Sequence, residues 1–169
     1  CALLHQAQPI RCCAFESSGE RLLCGGDEST ILTCTMSSDG KLEKGRSLRG
    51  HNGSVRAVAT SPDGSWNVSG SDARTAQLWT PQGKPSKVLM GNRGGIRACS
   101  FSSDSKTCAT AGTDSVVHLW KIPGAQRVGS LKAHSGKITC AVFSPVSDTL
   151  LSCDADGACL LSKRGVQVG

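Results

Sequence analysis

The chain has 169 residues, of which 38% are hydrophobic and 4% aromatic, and its 19 basic against 13 acidic residues give a net charge of +6. It has no apolar run long enough for a membrane span and no basic-then-apolar leader, so we expect neither a transmembrane helix nor a signal peptide. The charges are scattered without a block of five or more, so the composition does not indicate a nucleic-acid-binding tail.

The sequence repeats itself at intervals of 41 to 45 residues. Each of four units opens on a branched apolar residue, and these residues are Ile10, Val55, Ile96 and Ile138. Repetition at this period is typical of β-propeller blades, each a sheet of four strands. We therefore predict one all-β domain over residues 1–169, with blades at about 5–48, 51–90, 92–131 and 134–168.

Within every unit, apolar and polar residues alternate with period two, as in VRAVATS and ITCAVFS. That alternation predicts strands with one buried face and no helix. Turn signals such as Pro62-Asp63-Gly64 separate the strands. In the second unit, the predicted strands lie at about 54–60, 65–70, 75–79 and 86–90.

The chain resembles WD-repeat proteins over about residues 3–168. The residues that carry the resemblance include Gly50-His51, Ser69-Gly70, and the Leu-Trp pairs that end at Trp79 and Trp120. The resemblance implies antiparallel four-stranded blades. It also implies a hydrogen-bonded set in each blade, consisting of a turn His, a strand Ser or Thr, a turn Asp and a strand Trp, which satisfies buried polar groups.

No unit carries the complete set. In the second unit Ala73 occupies the Asp position, and in the third unit Asn92 occupies the His position. In the fourth unit Ser162 occupies the Trp position. The first unit has Cys24 in place of Ser and Cys34 in place of Trp. We expect each missing partner to forfeit about 1 kcal/mol of stability. The predicted members that are present are His51, Ser69, Trp79, Thr110, Asp114, Trp120, His134, Ser152 and Asp156.

The start of the chain aligns with the end of a blade, because Leu3 matches Leu48. Residues Ala2–Leu4 could complete the last blade and close a ring, or the chain could be a segment of a longer propeller. We favour the segment, because WD propellers resemble rings of seven or eight blades. An open arc exposes apolar sheet faces at both ends, which we expect further blades or a partner to cover.

The ten cysteines lie at strand positions where other units have small or apolar residues. Cys13 and Cys99, for example, both align with Val58. With no Cys-x-x-Cys pair and no zinc-type spacing, we predict buried thiols rather than disulfides or metal ligands, and no cofactor. Free thiols in this number indicate a reducing compartment, the cytoplasm or the nucleus.

The sequence contains no recognisable catalytic set. His51 and His134 hold turn positions, His118 lies on a strand, and none is paired with a nucleophile in a known motif. The glycine-rich stretch 91–95 lacks the following helix that a phosphate cradle needs. We predict that the protein is not an enzyme.

The candidate binding surface lies at the start of the first strand of each blade, which lines the channel of a propeller. Arginine follows the opening apolar residue in three units, and Thr139 does so in the fourth. WD propellers that grip peptides use this position and its neighbours. The partner-binding residues implied by the resemblance are Arg11, Arg56, Arg93, Arg97, Lys137, Asp27 and Asp72.

These residues permit more than one interpretation. Arg11 with Asp27, and Arg56 with Asp72, could be ion pairs that only organise loops and contribute about 0 to 1 kcal/mol each. Arg93, Arg97 and Lys137 are predicted to form a basic rim without a local acid, which suits carboxylate or phosphate groups.

We therefore expect a protein-interaction scaffold that docks partner proteins or acidic peptides within a multi-subunit assembly. The alternative is an RNA- or phosphate-binding module that uses the arginine-rich rim. Nucleic acid is the less favoured partner, because the few aromatic residues recur at core positions and leave no platform for base stacking.

Overall fold

A computed structural model describes residues 8–132, 134–163 and 166–167, and the regular structure in these ranges is all β-strand. The described part of the chain contains no helix with the length and apolar character that a membrane crossing needs. The predicted strand end at Leu3 and the segment Ala2–Leu4 lie outside the described residues.

Sixteen strands form four antiparallel sheets of four strands, each sheet following the chain order. The all-β blade architecture predicted from the period is confirmed. The strands are β1 (Ile10–Phe15), β2 (Arg21–Gly26), β3 (Thr30–Met36), β4 (Leu42–Arg49), β5 (Val55–Thr60), β6 (Asn67–Ser71), β7 (Ala76–Trp79), β8 (Pro85–Leu89), β9 (Ile96–Phe101), β10 (Thr107–Gly112), β11 (Val117–Lys121), β12 (Gln126–Leu131), β13 (Ile138–Phe143), β14 (Thr149–Asp154), β15 (Cys159–Lys163) and β16 (Val166–Gln167).

The blades stack through their first strands, because β1 packs beside β5, β5 beside β9, and β9 beside β13. Each interface buries apolar residues of both blades. Between the second and third blades, Val68 and Leu78 meet Ile96, Phe101 and Trp120. Full burial of one such side chain is worth about 1.5 to 3 kcal/mol, so the contacts between blades stabilise the arc.

The two end blades leave apolar residues uncovered. Ile10 and Phe15 of the first blade are 41% and 57% exposed, and Leu151 and Leu161 of the fourth are 39% and 49% exposed. The apolar residues at the same positions in blades that have a neighbour on that side are at most 6% exposed, namely Val55, Ile96, Ile138, Phe101, Phe143, Leu23, Val68, Ala109, Leu78 and Leu119. The expectation of an open arc with apolar end faces is therefore confirmed.

One cysteine pair corrects the sequence prediction. Cys153 on β14 lies directly opposite Cys159 on β15, and a disulfide joins them. The prediction of no disulfide is wrong at this pair because antiparallel pairing brings directly opposite side chains together, which an alignment of single positions does not reveal.

The other described cysteines carry free thiols. Burial raises the pKa of the Cys12 thiol to about 11 and that of Cys24 to about 12, as expected for cysteines that act as small hydrophobes. Cys13 and Cys140 are exposed, contrary to expectation, because they lie on the first and last blades.

Candidate functional site

A β-bulge places the candidate arginines at one end of the first strands. In each blade the pairing between the first and second strands skips one residue directly after the opening apolar position. A bulged residue is left unpaired and its side chain is re-aimed away from the regular ladder. The skipped residues are Arg11, Arg56, Arg97 and Thr139.

These arginines and two aspartates form a continuous chain of ion pairs that we call the arginine ladder: Arg11, Asp27, Arg56, Asp72 and Arg97. Within the first two blades, Arg11 Nη2 lies 2.7 Å from Asp27 Oδ2, and Arg56 Nε lies 2.7 Å from Asp72 Oδ2. Between blades, Arg56 Nη1 lies 3.1 Å from Asp27 Oδ1, and Arg97 Nη2 lies 3.1 Å from Asp72 Oδ1. The ladder therefore links three consecutive blades.

The sequence prediction that Arg97 lacks a local acid is wrong, because its partner Asp72 belongs to the preceding blade. Gly95 leaves room for this contact, since a side chain at that position would crowd the Asp72 carboxylate. The ladder ends at the third blade because Thr113 occupies the position that Asp27 and Asp72 hold.

Electrostatics within the Arg11–Asp27 pair favour the charged forms. The pKa of Asp27 lies below its ordinary value because the Arg11 guanidinium donates hydrogen bonds to its carboxylate and attracts it. The same pair raises the pKa of Arg11. The three arginines and two aspartates leave one net positive charge along the ladder.

The other two cations of the predicted rim lie outside the ladder. The backbone N–H of Arg93 donates to Asp114 Oδ2 at 2.9 Å, and the Arg93 side chain lines a pocket with Arg127 and Lys132 on the outer side of the third blade. Lys137 is exposed just before β13, and no ion pair involves it among the described residues. The structure therefore assigns Arg93 to a second basic surface.

In the second blade, the hydrogen-bonded set is centred on Ser69. Trp79 Nε1 donates to Ser69 Oγ at 2.8 Å, and Ser69 Oγ lies 2.6 Å from His51 Nε2. His51 Nδ1 lies 3.4 Å from Thr75 Oγ1, so a threonine that the sequence analysis missed stands in for the absent aspartate. Burial lowers the pKa of His51 to about 4, so the ring is neutral at physiological pH.

In the third blade, asparagine replaces histidine. Trp120 Nε1 donates to Thr110 Oγ1 at 2.8 Å, and Thr110 Oγ1 donates to Asn92 Oδ1 at 2.9 Å. Asp114 Oδ2 lies 3.1 Å from His118 Nε2. Burial raises the pKa of Asp114, but hydrogen bonds from the backbone of Arg93, from His118 and from the backbone of Val116 outweigh that effect and lower it.

In the fourth blade, the aspartate that contacts histidine is Asp154, not Asp156 as predicted. His134 Nε2 lies 2.7 Å from Ser152 Oγ, and His134 Nδ1 donates to Asp154 Oδ2 at 2.9 Å, which lowers the pKa of Asp154. Asp154 Oδ1 accepts the backbone N–H groups of Asp156 and Ala158. The turn therefore folds around Asp154 and leaves Asp156 exposed.

Comparison with known proteins agrees with this architecture. The chain matches the family model of the WD domain, G-beta repeat, over residues 3–42, 42–80, 83–121 and 125–161. It is 28% identical to human striatin-4 over 133 residues, covering 65% of the chain and 18% of that protein. It is 27% identical to a guanine nucleotide-binding protein subunit beta of Oryza sativa subsp. japonica over 165 residues, covering 90% of the chain and 43% of that protein.

Among solved structures, the chain superposes on the structure of U3-55K with a TM-score of 0.89 at 18% identity, covering 98% of the chain and 53% of U3-55K. At that identity the likeness concerns the fold alone. The chain spans less than half the length of the two relatives and about half of U3-55K.

Proposed function

Because this chain belongs to the WD-repeat family, with four consecutive repeats, we propose that it is a non-catalytic scaffold that docks acidic segments of partner proteins. The observation that carries the proposal is the arginine ladder, which lies at the end of the first strands where a partner can reach it. One relative is named as a subunit, which places that relative in an assembly. We infer that this chain likewise serves a multi-subunit assembly.

The ladder retains hydrogen-bond donors for a partner. The side chains of Arg11 and Arg97 are 46% and 39% exposed, and each is held by one aspartate, whereas Arg56 contacts two aspartates and is 23% exposed. A guanidinium carries five N–H donors, so the two outer arginines keep donors that an incoming carboxylate can accept. The aspartates hold the arginines in place, which reduces the entropy lost on binding.

Capture of partner proteins by the purified chain, quantified by mass spectrometry, tests this proposal. Arg97→Glu should reduce capture while leaving the melting temperature within a few degrees of wild type. The matched control is Lys106→Glu, which makes the same charge change in the turn after β9, at the opposite end of that strand from Arg97. Equal capture by both variants would count against the ladder as the docking surface.

The RNA-binding alternative is tested with the same proteins. An RNA-binding module would bind single-stranded RNA with an affinity that falls steeply as salt rises, because phosphate contacts release counterions. Absence of measurable binding at low salt would exclude it. The described residues offer it little support, since Trp79 and Trp120 are buried and thus unavailable for base stacking, and Trp66 is partly buried against the core.

We further propose that additional WD-type blades cover the exposed end faces of the arc. The exposed residues Ile10, Phe15, Leu151 and Leu161 hold positions whose apolar residues are buried wherever a neighbouring blade is present. Light scattering of the isolated chain should therefore show self-association that increases with concentration and that Leu161→Glu reduces. A monomer at all concentrations would argue that the faces need no cover.

The proposed place of action is the cytoplasm or nucleus. The support is chemical, since most of the described cysteines carry free thiols, which persist in reducing compartments. Imaging of the tagged protein in intact cells would locate it, and a secreted product would contradict this proposal.

A further inference from the structure

A second basic surface lies on the outer side of the third blade, and none of its residues belongs to the arginine ladder. A pocket of about 350 Å³ opens there, between the connection that leads from the second blade to the third and the outer strands β11 and β12. We propose that it binds a phosphate monoester carried by an extended peptide, such as a phosphoserine. The residues that line the pocket include Arg93, Asp114, His118, Arg127, Ser130 and Lys132.

The charge of the pocket matches a dianion. Arg93, Arg127 and Lys132 are exposed, and none of them forms an ion pair with another described residue. The negative charge of Asp114 is already engaged by His118 and by the backbone N–H groups of Arg93 and Val116. Three cations against one carboxylate leave two net positive charges, and a phosphate monoester carries about −1.5 to −2 at pH 7.

His118 supplies an independent indication of a ligand. Its side chain lines the pocket and is 5% exposed. A carboxylate only accepts, so His118 Nε2 carries the proton that Asp114 Oδ2 accepts, whereas the buried Nδ1 has no hydrogen-bond partner in the described part of the chain. Buried polar atoms are nearly always paired. With the proton on Nε2, Nδ1 is an acceptor that lacks a donor, and a backbone N–H of a bound peptide is the kind of group that supplies one.

The position of the pocket favours a peptide over a nucleic acid. Arg127 and Ser130 belong to β12, which is the edge strand of its sheet and presents unpaired backbone groups. An extended peptide can add to such an edge by main-chain hydrogen bonds and place one side chain in the adjacent pocket. Among the described residues, no Trp or Phe lines the pocket, and a phosphodiester has only one negative charge per phosphate.

Fluorescence anisotropy with a synthetic peptide tests the proposal. The probe is a fluorescein-labelled Val/Thr-rich peptide with one central phosphoserine, compared with the same peptide carrying serine. Arg127→Gln and Lys132→Gln should each weaken binding of the phosphopeptide about tenfold, since each removes a charge-assisted contact. The control Lys121→Gln removes an exposed lysine of the same blade that does not line the pocket and should leave the affinity unchanged.

A titration followed by NMR should show the largest shifts at the backbone amides of Gly91 and Val116, which line the pocket. Three results would overturn the proposal. The first is equal affinity for the two peptides, and the second is an equal loss of affinity in Lys121→Gln and Arg127→Gln. The third is displacement of the phosphopeptide by single-stranded RNA, which would mark the surface as a phosphodiester site.

Discussion

Removal of the Ser69 hydroxyl should destabilise the second blade strongly. Ser69 is fully buried, and its oxygen is the shared partner of Trp79 Nε1 at 2.8 Å and His51 Nε2 at 2.6 Å. Ser69→Ala therefore leaves two buried ring nitrogens unpaired at once. Each such group costs about 1 to 3 kcal/mol. Two such groups give an expected loss of about 2 to 6 kcal/mol, a large share of the roughly 5 to 15 kcal/mol that stabilises a domain.

Urea denaturation followed by tryptophan fluorescence measures this loss. The control is Ser69→Thr, which keeps the hydroxyl, since Thr110 performs the same role in the third blade at the same 2.8 Å distance from Trp120 Nε1. The alanine variant should lose far more stability than the threonine variant. A loss below about 0.5 kcal/mol for Ser69→Ala, typical of a surface substitution, would refute the view that this set stabilises the blade.

Three further predictions concern the same contacts. The free energy of unfolding should fall by about 3 kcal/mol as the pH drops from 6.5 to 4. The pKa of His51 is about 4 in the folded chain and returns to its higher, ordinary value on unfolding, so the unfolded chain binds the proton first. His51→Asn should flatten that part of a pH series of urea melts. Asp154→Asn should lower the urea midpoint and Asp156→Asn should not, and the reverse order would restore the original assignment. Gly70→Ala should cost about 1 to 3 kcal/mol by calorimetry, since the added methyl overlaps Ile96, and an unchanged midpoint would mean the interface between blades is loosely packed.

Local sequence patterns predicted the architecture well. The alternation of apolar and polar residues along a strand, and the turn residues that flank it, are both encoded within a few neighbouring residues. The predicted second-unit strands at 54–60 and 75–79 correspond to β5 and β7 within one residue. The repeat alone also predicted the apolar end faces. An apolar position that an adjacent blade covers in the middle of the arc is left uncovered in the end blades, where that adjacent blade is absent from the chain.

The incorrect site predictions share a physical cause. Each involves a contact between residues that the repeat pattern treats independently. The Arg97–Asp72 contact crosses from one blade to the next. Asp154 replaces Asp156 because backbone N–H groups of the turn fold around its carboxylate. The outer pocket likewise brings together Arg93, in the connection between blades, and Arg127, on an edge strand. Its cations lie at positions that the repeat pattern does not mark, so the sequence did not predict the pocket.

The most direct test of the proposed scaffold function is the affinity of the arginine ladder for an acidic segment. Fluorescence anisotropy with a labelled glutamate-rich peptide would compare wild type, Arg97→Gln and the control Lys106→Gln at low and at physiological salt. We expect wild type and Lys106→Gln to bind equally and Arg97→Gln to bind about tenfold more weakly, as the loss of one charged hydrogen-bonding partner requires. Equal binding by all three proteins would contradict the account.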